Sequence, residues 1–177
     1  MAMGVLLLPA GIQAQEQRRI VISDLPLAEQ VRIQAEAEAR EGEAAELMRR
    51  AIRAEKQGEW SKAARLYEQS AGLRTDGDHL GATSYELAGR AYFFNDKPGR
   101  ASRMWEEAGN RALIVGDVIG AARNYLHAAV AADEKGTRAR AADLGWKAYR
   151  LTESDLISSQ ERDLIRSHLE IVGGERG

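Results

Sequence analysis

Along residues 85–108 the apolar positions recur at steps of three and four. Tyr85, Ala88, Gly89 and Tyr92 make one stripe. After a break at Asn95-Asp96-Lys97-Pro98-Gly99, Ala101, Met104, Trp105 and Ala108 make a second. This spacing places each set on one face of an α-helix, and Pro98 suits the first turn of the second helix. Small residues at Ala88, Gly89 and Ala101 let two helix axes approach closely, while Tyr85, Tyr92 and Trp105 fill the space beside them. The pattern predicts a helical hairpin with its aromatic stripe in the core and Gly89 facing Ala101.

The stretches on both sides repeat the device. Leu47, Ala51 and Ala54 form a stripe, Gln57-Gly58-Glu59-Trp60 reads as a turn, and Ser61–Ser70 as the second helix. Further on, Tyr125, Ala128, Ala129 and Ala132 are followed by a turn at Glu134-Lys135-Gly136. A helix then runs through Ala141 or Ala142 to Trp146 and Ala148. Polar, glycine-containing connections at Gly72–Asp78 and Gly116-Asp117 separate the hairpins. Upstream, Leu27–Lys56 is rich in Ala, Glu and Arg and predicts one long helix, or two meeting near Gly42, with Ser23 or Asp24 as cap. Ile20-Val21-Ile22 is a brief extended segment or a linker. Downstream, Thr152–Asp155 breaks the pattern. A last helix then starts near Ser158, with Glu161 as its capping-box partner. Leu164, Ile165, His168, Leu169 and Val172 form its apolar face, and Gly173-Gly174 ends it.

Composition removes several function classes. A net charge of −2, with arginines interleaved among glutamates, gives no basic patch for nucleic acid. The absence of cysteine excludes disulfides and thiol chemistry. His79, His127 and His168 share no metal-ligand spacing, so neither a metal nor a cofactor is expected. His127 reads as an edge residue and His168 as the polar rim of the last helix. Glu106-Glu107 reads as a solvated helix face. No triad, nucleotide loop or paired-carboxylate pattern is present, and no enzymatic activity is expected.

At the N-terminus, Val5-Leu6-Leu7-Leu8 is a short apolar run, broken by Pro9-Ala10-Gly11, with Ala14 before a polar stretch. This reads as the end of a secretory signal, lacking its basic region and cut after Ala14. It is too short to span a bilayer, and no integral membrane segment is expected.

The run KQGEWSKAARLYEQS, with Gly58, Trp60, Ala63 and Tyr67, resembles the tetratricopeptide repeat family, as does the small residue Ala51 in the preceding helix. Arg50 stands where that family usually has leucine, and Thr75 where it has its closing proline. Equivalent residues, such as Ala63 and Ala101 or Tyr85 and Tyr125, recur at somewhat more than the family's ~34-residue period. The excess is expected in the helix from Pro98 to Val115 and in the link Arg74–Asp78. The resemblance implies an all-α, right-handed superhelix of about three hairpins, each burying its faces only by stacking on the next. The chain accordingly divides into a truncated signal (1–14), a linker and long N-terminal helix (15–43), a repeat domain (44–151), and a capping helix with its tail (152–177).

The resemblance also implies a concave face, lined by the first helix of each hairpin, that binds a protein or peptide. The residues off the packing stripes that would line it are Met48, Ile52, Glu55, Glu86, Arg90, Phe93, Leu126 and Val130, with an Arg90–Glu86 pair in the middle. Several are large and apolar, which a solvated face does not favour. The same apolar residues could instead pack against the N-terminal helix. The expected function is that of a non-enzymatic binding scaffold in the periplasm. The alternative is a self-associating structural subunit of an envelope assembly, a homo-oligomer paired through the helix from Leu27 to Arg53. Protein recovered from the producing cell should begin at Gln15 on terminal sequencing; intact Met1 in the cytoplasm would exclude export.

Overall fold

The structure, a computed structural model, describes residues 26–173, with side chains through residue 169. The signal reading at 1–14, the segment Ile20-Val21-Ile22 and the caps Ser23 and Asp24 lie outside the described residues, as do the side chain of Val172 and Gly174. Among the described residues there are seven helices and no strand: α1 Leu27–Lys56, α2 Trp60–Gly72, α3 His79–Phe94, α4 Pro98–Ile114, α5 Val118–Glu134, α6 Arg138–Leu151 and α7 Ser159–Gly173. The protein is all-α. Gly42 does not break α1, which is one helix.

The chain divides inside α1, between Glu38 and Ala39. In the first unit the described helix carries Arg32 beside Glu29 and Glu36, with Leu27 and Val31 exposed. The second unit holds the remaining helices. There α2 packs on α3, α3 on α4, α4 on α5 and α5 on α6, while α7 packs on both α5 and α6.

Local chemistry sets the helix ends. Each hairpin turns at a residue in the left-handed region: Gly58 (φ 74°), Asp96 (φ 53°) and Gly136 (φ 80°). Asp96 shows that a short polar side chain can take this role. Asp78 and Asp117 accept from the backbone N–H groups of Leu80 and Gly120, both at 2.8 Å, and so cap α3 and α5. Pro98 opens α4. At α7, Ser158 Oγ accepts from the Glu161 N–H and donates to the Glu161 carboxylate, the local pairing expected there.

The core is built from alanines and a few large rings. Ala51, Ala63, Ala64, Ala88, Ala101, Ala121, Ala128 and Ala129 are fully buried, and Tyr67, Tyr92, Tyr125 and Trp105 lie among them. Each of the three tyrosines donates its hydroxyl to the preceding helix: Tyr67 to Glu55 (2.5 Å), Tyr92 to Glu68 (2.5 Å) and Tyr125 to Asn110 (2.7 Å). Burial raises the pKa of all three phenols, and the hydrogen-bonded carboxylates raise those of Tyr67 and Tyr92 further. Ser70 Oγ donates to the Ala44 carbonyl at 2.8 Å and ties α2 to α1. Arg111 of α4 fixes the link before α3. Its guanidinium donates to the carbonyls of Arg74 and Thr75 (3.1 and 3.2 Å) and lies over the Tyr85 ring.

Four packing expectations need correction. Gly89 opposes Trp105, not Ala101: a Cβ at position 89 would lie 2.8 Å from the indole. Tyr85 is only half-buried, and its ring is covered by Arg111 rather than by apolar core residues alone. Trp146 is 59% exposed and stacks on Tyr149, and Leu144 takes the core place in α6. On α7, Ile165 is buried but Leu164 is exposed, so its apolar face is narrower than the pattern suggested.

Trp105→Ala should cost about 3–5 kcal/mol through the cavity it leaves. Gly89→Ala should cost about 1–3 kcal/mol by forcing the indole aside. Denaturant unfolding checks both. Combining them should cost less than the sum, since removing the indole also removes the clash.

Candidate functional site

The three helices that open the hairpins, α1, α3 and α5, present equivalent positions. Ile52, Arg90 and Val130 share one offset from the left-handed residue that closes each helix, and Met48, Glu86 and Leu126 share another. The period of the α-helix brings these positions to one face of each helix, one turn apart.

On the first two hairpins this face is open. Ile52 is 39% exposed, Glu86 and Arg90 are exposed, and Met48, Glu55 and Phe93 are partly buried. Arg90 does not pair with Glu86. Its Nη2 reaches Glu55 Oε1 at 2.5 Å, joining α3 to α1, while Glu55 Oε2 accepts the Tyr67 hydroxyl from α2. Glu55 is the more buried carboxylate and is already oriented by Tyr67, so it competes better for the guanidinium than an exposed glutamate one turn away. Phe93 lies against Trp105, with ring centroids 5.6 Å apart, and His127 lies against the same indole at 5.3 Å. Desolvation lowers the pKa of His127, with help from the charges of Arg123 and His168, although Glu86 pulls the other way and the residue as a whole stays exposed.

On the third hairpin the expectation fails. Leu126 is only 6% exposed and belongs to the core, while Val130, like Met48 and Phe93, is partly buried and packs against it. The reason is α7, which packs on α5 and pairs its Glu161 with Arg123, one turn before Leu126. The last helix occupies the side of α5 that the first two hairpins leave open. Sequence reasoning missed His127 as a neighbour of Trp105, and it missed the Arg123–Glu161 clamp. The only signal for either was the register of the hairpin turns. His168 is exposed, with Nδ1 2.8 Å from the Leu164 carbonyl, at the rim as expected.

Among the described residues, no group of three His, Asp or Glu side chains is placed to hold a metal. No described helix is long and apolar enough to cross a membrane. Glu106 is not a solvated residue. Burial alone would raise its pKa, but Lys147 and Arg140 bond to it and hold the carboxyl below its ordinary value. The open face offers apolar side chains around one ion pair. No protein-family model matches the chain, and no curated protein sequence matches it significantly.

Arg90→Ala should change stability little, about 0–1 kcal/mol, as for other solvent-accessible ion pairs. Glu55→Ala should cost more, about 1–3 kcal/mol, because it leaves the Tyr67 hydroxyl without its acceptor. Urea unfolding of the two variants side by side checks the order.

Proposed function

We propose that the chain is a non-enzymatic, tetratricopeptide-like scaffold, exported to the periplasm, that binds a protein or peptide on the open face of its first two hairpins. The finer architecture, a right-handed superhelix, belongs to the same proposal. The observation that carries it is the row of Met48, Ile52 and Phe93 exposed or half-exposed beside the Glu55–Arg90 pair. An exposed isoleucine, a half-buried phenylalanine and a fixed ion pair suit an amphipathic helix or an extended peptide with apolar side chains and one charged group. Leu126 and Val130 take no part in this reading, because α7 packs on their helix.

A second reading, self-association through the N-terminal part of α1, is favoured by the exposure of Leu27 and Val31 on that helix. A single experiment addresses both. The full chain is used to capture partners from the native envelope, and binding is then followed by calorimetry. Ile52→Asp should weaken binding tenfold or more while leaving the melting temperature within a degree or two, since Ile52 has no core role. Unchanged binding places the contact elsewhere. A dimer by light scattering that is lost when residues before Gly42 are deleted supports the second reading.

A further inference from the structure

A cleft of about 200 Å³ opens where α4 and α6 begin, lined by Gly99, Ser102, Arg103, Lys135, Thr137 and Arg140. It shares no residue with the face described above. Its lining includes three cationic side chains and no acidic one. Arg140 is drawn partly to Glu106, which Lys147 also holds. Among the described residues, Arg103 and Lys135 have no ion-pair partner.

The rest of the lining is mixed: Gly99 and Ser102 favour an anion, while Thr137 offers it no donor. Lys135 lies across Gly99, where a Cβ would come within 2.6 Å of its side chain, so glycine lets the lysine reach over the cleft. Ser102 is buried and accepts from Arg140 Nε at 3.4 Å, which leaves its own proton to donate. Thr137 spends its proton on the Ala132 carbonyl at 2.7 Å and can only accept. Both adjoining helices start without a side-chain cap, at Lys97 and at Thr137, whereas α3 and α5 are capped by aspartates. At α4 the first position is Pro98, which has no N–H, so the partial positive charge of free first-turn N–H groups comes chiefly from the start of α6.

We propose that this cleft binds a small phosphate-type oxyanion, either free phosphate or the phosphoryl group of a small phosphomonoester. Arg103 and Lys135 supply the charge, and Ser102 supplies a fixed hydroxyl donor. Arg140 and Lys147 share Glu106 and Lys147 also pairs with Asp143, so the charge left over at the cleft is that of Arg103 and Lys135, which matches a doubly charged anion better than a carboxylate. Guanidinium groups present paired N–H donors that fit adjacent phosphate oxygens.

Calorimetric titration of the full chain with inorganic phosphate, glycerol phosphate and acetate tests this. One-to-one saturable binding of phosphate or its ester is expected, with acetate at least tenfold weaker. Preference between the two identifies the source. The double variant Arg103→Ala/Lys135→Ala should lose tenfold or more in affinity, and its circular dichroism should be unchanged because both residues are exposed. Arg65→Ala, an exposed arginine on α2, should bind as the parent does. No saturable binding of either phosphate probe, equal binding of acetate, or undiminished affinity in the double variant would overturn the proposal.

Discussion

The structure depends on the close approach of helices at alanine and glycine, which leaves room at each crossing for one large ring. Trp105 against Gly89 is the tightest case: no atom larger than hydrogen fits on the glycine side. The tyrosines follow the same rule with a polar addition. Each inserts its ring among alanines and anchors its hydroxyl on the helix before it, at Glu55, Glu68 or Asn110. Ring burial supplies apolar contact, and the hydroxyl bond selects one rotation of helix against helix. Alanine packing alone fixes that rotation poorly, since small side chains offer few ridges.

Polar groups near this core therefore act between helices more than within them. Glu55 serves Tyr67 and Arg90, on two different helices. Glu106 serves Arg140 and Lys147. Arg111 holds two carbonyls of the α2–α3 link and covers Tyr85, while Gly81 leaves it space. These bridges tie neighbouring helices to one another, and one of them, at Glu55, lies on the open face beside Ile52.

Features set by neighbouring residues are legible in the sequence. Pro98, Gly58, Gly136, the Gly116-Asp117 break and the Ser158–Glu161 pair mark helix ends correctly because capping and turn chemistry act over a few residues. Helix periodicity also identifies the buried alanines. It does not identify what each stripe meets. Gly89 meets an indole rather than Ala101, and Arg90 meets a glutamate on another helix rather than on its own. Leu144 fills the core place that the pattern assigns to Trp146. Leu126 reads as open because nothing in its own helix reports that α7 lies over α5. A face is a one-dimensional property of sequence, but its cover is decided by a distant segment.

The order of packing also governs how the chain reaches its structure. Helices α2 to α6 each meet chiefly the helix next in sequence, and α7 closes on the two just before it. Contacts of this kind close only short loops, so little chain entropy is lost before stabilising contacts form. Folding of such a row can begin at any hairpin and spread to its neighbours. A ribosome releasing the chain from the N-terminus would let each hairpin form before the next has emerged.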